Sequence, residues 1–410
     1  MKKLLLSVVC LLTGMMTFVS CSDDDDDNEK KVSAEVEAIE GLARQYVQDV
    51  VFTTYTNLAN QTSDLYDQLE EAKRKYRNNT LTQGDIDKIC TTFLNARSYW
   101  EASEAFLYGP ATTFGIDPHI DTWPLDLDAL ALSLSNSAQV AMLDNGDEGI
   151  AYAGAKLGQE LLGFHGIEFI LFRDGKNRTV AALQANEDHE AFAGKTVTGE
   201  QELIYAAAVA GDLRDNCYRL CVSWNPKSPK EYVDRCEELE VPVTVTGSDL
   251  TYGENLLGAA EAGSSYKTWQ SAMASILIAG CSNICAEVAD VKMGNAHSGE
   301  DVNYIESPYS KKSFQDFIDN ILSIQYSLYG AAGATSAQAH SLMSFFKSQN
   351  YSGAASLQSA LDASLAALKA CQAKGAFVDI YTDASVQKAM DEISALDDEI
   401  NKAADWILRQ

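Results

Sequence analysis

The chain has 410 residues and carries 59 acidic against 31 basic side chains, a formal net charge of −28. A field of that sign repels phosphate backbones and argues against a nucleic-acid partner, while it attracts cations. With roughly 370 residues left after the N-terminal segments described below, two domains are expected.

In chain order, the first element is an export signal. Lys2 and Lys3 precede an apolar run from Leu4 to Val19, too short for a transmembrane span, and the small residue Ser20 stands before Cys21. A cysteine in that place resembles a bacterial lipoprotein cleavage site, which makes residues 1–20 the signal peptide and Cys21 the lipidated first residue of the mature protein. Residues 21–33 include the run Asp23 to Asp27 and form an acidic tether. The resulting expectation is a cell-envelope protein, held to the outer membrane through the lipid at Cys21, on its periplasmic or its outer side.

Beyond the tether, helix dominates. Only seven prolines occur, at positions that read as loops, and the long proline-free stretches are rich in Ala, Leu, Glu and Gln. The apolar spacing predicts helices over 34–77, 84–108, 125–143 and 148–172, then a polar stretch 173–198. Thr198 and Gln201 have the spacing of a capping box for a helix reaching Trp224. Residues 225–262 read as loop, with Val243-Thr244-Val245 the one strand candidate, and four or five helices complete the chain. The expected fold is all-α, with an N-terminal helical domain at 34–197 and a C-terminal one at 198–408. A weak internal repeat supports two halves, since residues 93–109 and 314–330 share a leading Phe and a closing Leu-Tyr-Gly at the same spacing.

Cys10 leaves with the signal and Cys21 carries lipid, so seven cysteines remain. Two pairs, Cys217/Cys221 and Cys281/Cys285, are four residues apart and suit helix packing better than a disulfide framework or zinc knuckles.

The chemistry concentrates in the apolar run 161–172, which contains Gly163-Phe164-His165-Gly166-Ile167-Glu168. Residues three apart share a helix face, so His165 and Glu168 can meet at one point, either as two metal ligands or as a polar pair satisfying itself in the core. The other histidines, His119, His189, His297 and His340, read as surface residues in loops or on other helices, with His119 of note because it lies two residues before Asp121.

Four segments occur together and in order: Ala96-Arg97-x-x-Trp100-x-x-x-Glu104-Ala105-Phe106, Ile120-Asp121-x-Trp123-Pro124, Gly163-x-His165-x-x-Glu168, and Glu306-Ser307-Pro308-Tyr309-Ser310. The combination resembles the imelysin family, also classed as peptidase family M75, over roughly residues 35–408. The resemblance implies two four-helix-bundle-like domains related by a pseudo-twofold, with a site at their interface. It also implies an extracytoplasmic lipoprotein linked to bacterial iron acquisition, working with an outer-membrane uptake receptor, and a metallopeptidase label drawn from a few members.

On this reading His165, Glu168, Glu104 and Asp121 are the candidate ligands for a divalent or ferric ion, iron or zinc, because hard and borderline cations take carboxylate oxygen and imidazole nitrogen. Arg97, Trp100, Gly163, Glu306, Ser307 and Tyr309 are expected to line the site. Arg97 has an alternative role, pairing with a carboxylate and holding the cluster without metal, and Ser310 and Ser313 are candidate helix caps. Three functions follow for comparison: a metal-binding lipoprotein of iron uptake, a metallopeptidase using His165 and Glu168, and a non-catalytic adaptor for a peptide or polysaccharide. The peptidase reading lacks the two-histidine helix of zinc proteases, since no second histidine lies near Glu168.

Overall fold

The computed structural model describes residues 36–410. The expected signal peptide, the lipidation site Cys21 and the acidic tether lie outside them. The fold is all-α. The chain is helical from residue 36, passes through a π turn at Tyr46–Phe52 and continues as α1 (Thr53–Arg77), a stretch without Gly or Pro that buries Tyr55, Leu58, Thr62, Leu65 and Leu69 on one face. Helix α2 (Gln83–Glu101) opens at a capping box between Thr82 and Asp85. Helix α3 (Gly163–Leu171) is buried at every position. Helix α4 (Gly199–Trp224) starts at the capping box between Thr198 and Gln201 that the sequence predicts.

Helix α5 (Trp269–Ser298) is interrupted by two π turns, Ile276–Ser282 and Glu287–Met293. By composition and length it could cross a membrane, yet most of it is packed inside the protein. Then follow α6 (Ser313–Tyr329), α7 (Ala354–Lys374) and α8 (Ala384–Ile407).

Two groups of four helices result. In the first, α4 lies along α1 and against α3, and α1 packs on α2; in the second, α7 pairs with α8 and α6, and α8 with α5. Helix α4, which the sequence assigns to the second half, therefore belongs by its packing with the first group. Contacts between α2 and α6 join the groups, and these are the helices that carry the two copies of the weak repeat.

Several boundaries depart from expectation for local reasons. The helix predicted over 84–108 stops at Glu101, where the Ser103 hydroxyl donates to the Trp100 carbonyl, and Glu104 sits on a short 3₁₀ turn, Glu104–Phe106. The helix predicted over 125–143 breaks at Asn136, whose side chain accepts from Ala138 N and Gln139 N and caps Ser137–Leu143. The helix predicted over 148–172 breaks between Lys156 and Gly163. Val243–Val245 form no strand; Val245 N bonds Leu250 O across a turn. The strands that do occur are Phe172–Arg173 and Lys176–Asn177, an antiparallel hairpin turned by Asp174 and Gly175, both at positive φ. All seven described cysteines are free and buried, as their helical spacing suggests.

Candidate metal centre

The site is assembled where α2, α3, α5 and the start of α6 converge. Helix α2 supplies Arg97, Trp100 and Glu101, three residues within one turn, all buried. Asp121 follows the short helix Asp117–Ile120 as its C-terminal cap, and α3 brings His165 and Glu168. Lys292 comes from the second π turn of α5, Glu306 and Ser307 from the turn before α6, and Asp316 and Asn320 from α6 itself.

Gly163 explains how these pieces meet. It opens α3 at φ +66°, and a side chain there would overlap the carbonyl oxygen of Ile120. Only glycine takes that conformation freely while letting the Asp121 segment come so close. Its role is thus to admit the backbone of Ile120 and Asp121.

Asp121 is the hub. Its Oδ1 pairs with Arg97 Nη1 and accepts from His165 Nε2 at 2.9 Å, while Oδ2 accepts from the Trp100 indole at 2.8 Å. Trp100 is therefore more than a wall: it orients the carboxylate. Burial alone would raise the Asp121 pKa, but Arg97 and His165 outweigh it and hold the group well below the carboxylate range. Burial works against the His165 cation too, yet the hydrogen bond to Asp121 and the Glu168 carboxylate 3.8 Å away push its pKa up to about 9, so in this arrangement it is an imidazolium at neutral pH.

Arg97 also reaches Glu306 at 2.5 Å and Glu101 at 2.5 Å, with Asp316 3.6 Å from its Nε. Lys292, fully buried, stands 3.2 Å from Glu306, 3.6 Å from Glu101 and 3.7 Å from Glu104, and lies over the Trp123 ring at 5.0 Å. Asn320 donates to Glu101 at 2.5 Å and Ser307, itself at φ +48°, donates to Asp316 at 2.5 Å. Burial raises Glu101 to about 8 and Asp316 to about 8 against the pull of Arg97, and raises Glu104 and Glu306 as well. Six carboxyl groups, those of Glu101, Glu104, Asp121, Glu168, Glu306 and Asp316, thus share two permanent cations and one imidazolium.

Three sets of ligand atoms lie within 4.8 Å of one another: Asp121, His165 and Glu306; Glu101, Glu306 and Asp316; and Glu101, Glu104 and Asp121. The first joins two expected ligands, Asp121 and His165, to Glu306, expected only as a lining residue. Glu104 falls in the third set, away from His165. Glu168 enters none of them: its Oε1 accepts from Ser310 N at 2.7 Å, and its Oε2 is 3.8 Å from His165 Nδ1. Tyr309 packs edge-on against Phe169, with ring centroids 5.1 Å apart.

The expected caps do not form. Ser310 uses its backbone N–H on Glu168, Ser313 donates to the Glu306 carbonyl, and α6 begins without a side-chain cap. Of the remaining histidines, His189 caps a short turn, His297 Nδ1 lies 2.6 Å from the Tyr381 carbonyl, His340 is exposed and His119 pairs with Asp212.

Glu101 and Lys292 are site residues that the sequence reading lacks. Glu101 left a signal, lying four residues after Arg97 on one helix face. The nearest signal for Lys292 is a cation within the apolar helix α5.

The imelysin (peptidase M75) family model matches residues 51–403. Iron-regulated protein A of Synechococcus elongatus is 24% identical over 275 residues, which are 67% of this chain and 60% of that relative's own length. Among solved structures, an iron-regulated protein A precursor from Parabacteroides distasonis superposes with a TM-score of 0.71 at 21% identity, over 90% of this chain and 95% of that one. An imelysin-like protein from Psychrobacter arcticum 273-4 gives 0.56 at 13% identity, over 89% and 93%. At these identities the structures share the all-α fold.

Proposed function

This chain belongs to the imelysin family, and we propose that it is a cell-envelope lipoprotein, anchored to the outer membrane through Cys21, that binds a metal ion or a metal-bearing ligand as part of iron acquisition. The observation that carries the reading is the buried set Asp121, His165 and Glu306, whose ligand atoms lie within 4.8 Å of one another. One imidazole nitrogen with carboxylate oxygens suits iron or zinc. The donors fit in a second respect: Glu306 Oε2 and Glu168 Oε2 are buried oxygens without a hydrogen-bond partner, and such atoms are costly unless a cation or donor meets them. The name of the cyanobacterial relative supports an iron-related role.

A bound ion would supply the positive charge that the surplus carboxylates lack. The chain's own residues prepare for it. Trp100 fixes one oxygen of Asp121, Arg97 ties Asp121 to Glu306, and His165 must release a proton before its nitrogen can ligate. The test is calorimetric titration of the folded chain with ferrous iron and with zinc, beside Asp121→Asn. Saturable binding lost in the variant supports the reading, and heat-silent titration of the wild type rejects it.

A second reading rests on the same guanidinium. Arg97 already engages Asp121 and Glu306, so the cluster also works as a closed ion network in a non-catalytic adaptor for a peptide or polysaccharide. An M75-type metallopeptidase using His165 and Glu168 fits less well, because Glu168 belongs to none of the three ligand sets and no second histidine joins His165 in them.

A further inference from the structure

His119 and Asp121 are two residues apart but serve different places. Asp121 enters the buried cluster, while His119 lines a cleft of about 420 Å³ between α4 and the helix Gly146–Lys156, a volume within the range of small-molecule sites. Its lining brings together apolar side chains, among them Phe114, Ile150 and Val241, and charged or titratable ones, among them His119, Asp212 and Arg219.

The charges in the cleft are unequally matched. Asp215 is taken by Arg214 and Arg235, each at 2.8 Å. Asp212 faces His119 Nδ1 at 3.5 Å, and a side chain at Gly154 would overlap the Asp212 carboxylate, so the glycine makes room for the pair. With Nδ1 turned to Asp212, the other ring nitrogen of His119 is left over.

Arg219 is the surplus cation. Its guanidinium stacks on Phe114 at 4.3 Å and its Nε donates to the Pro242 carbonyl at 3.0 Å. Among the described residues no carboxylate pairs with it. A half-buried guanidinium with both terminal nitrogens free, in a protein of net charge −28, is poised for bidentate contact with an acid group.

We propose that this cleft binds a small organic carboxylate, its acid head held by the terminal nitrogens of Arg219 and by His119 Nε2, its apolar body against Phe114, Ile150 and Val241. An inorganic anion would leave those apolar side chains uncovered, and the long-range field of the protein disfavours anions, so recognition comes from close contacts of both kinds. The site is separate from the buried cluster and does not depend on metal.

Calorimetric titration of the chelator-treated, folded chain with hexanoate tests this, with hexanamide and inorganic phosphate for comparison. The expected result is saturable hexanoate binding that weakens about tenfold or more in Arg219→Gln, is partly kept in Arg219→Lys and is unchanged in the surface control Lys230→Gln. Hexanamide and phosphate should not bind. If circular dichroism shows Arg219→Gln to be misfolded, His119→Gln carries the same expected loss. No saturable hexanoate binding to the wild type, or equal binding by the folded charge-removing variant, by the amide or by phosphate, overturns the proposal.

Discussion

Asp121 and His165, 44 positions apart in the chain, share a fully buried hydrogen bond of 2.9 Å on the same carboxylate oxygen that pairs with Arg97. The imidazole therefore competes with a guanidinium for one atom. Removing either partner should have opposite consequences for ion binding and for stability.

His165→Ala is expected to weaken iron or zinc binding more than about tenfold, since loss of one ligand in three or four costs over about 1.4 kcal/mol. Calorimetry on the variant and the wild type checks this, and equal affinities would refute a ligand role for His165.

Arg97→Met leaves Asp121 and Glu101 without their main counter-charge and Glu306 with Lys292 alone. Removing one partner of a buried pair costs about 3–5 kcal/mol, so the melting temperature should drop sharply, and zinc or ferrous iron should recover part of the loss. Recovery absent in the double variant Arg97→Met/His165→Ala would assign the rescue to this cluster.

Dependence on pH follows from the direction of the shifts. His165 is raised from its usual 6.5 to about 9, so the stability it contributes is complete below about 6.5 and fades as pH rises through 9. Glu101 and Asp316, raised by burial to about 8, bind protons more tightly in the folded chain and work in the same direction between their ordinary carboxylate range and 8. The metal-free protein should lose stability from about pH 5 to 9, whereas metal affinity should rise over the same span as the proton leaves His165. Thermal melts with and without zinc across that range should therefore diverge with increasing pH.

For catalysis, the mature protein with added zinc or iron should give no more than trace cleavage of an unfolded protein substrate. Glu168 is the acid of the signature helix, and its Oε1 is held by Ser310 N. Robust turnover abolished by Glu168→Gln would establish the peptidase instead.

Gly163→Ala should be among the most damaging changes of a single methyl group. It combines a positive φ with overlap on the Ile120 carbonyl, and strain of this kind costs roughly 1–3 kcal/mol before the clash is counted. Loss of soluble folded protein, or a melting temperature far below that of Gly84→Ala, where an added methyl group meets nothing nearer than 3.8 Å, is the expected outcome.

Much of this was open to sequence reasoning wherever the determining interaction is local. The Thr198–Gln201 box, the helix-rich, proline-poor stretches and the one-turn spacing of Arg97, Trp100 and Glu101 all act within a few residues. The ligand choice was harder because its geometry is not local. Glu306 lies 209 positions from Arg97, and Lys292 meets three carboxylates that no helical period relates to it. Glu104 shows the cost of one misplaced boundary, because a helix continuing past Glu101 would send its side chain in another direction. Glu168 shows a different limit: the pattern brought it near His165, but a backbone N–H from another segment captured it.

The π turns of α5 set a phase. Each places an extra residue in the helical count, and Lys292 lies in the second of them. Wound as ordinary α-helix, the same seven residues Ile276–Ser282 would carry their extra residue into the count and rotate everything downstream by about 100° around the axis. Lys292 would then swing off its three carboxylates while the helix kept its length to within one residue, so the pitch of a distant turn decides whether the acidic cluster has its internal cation.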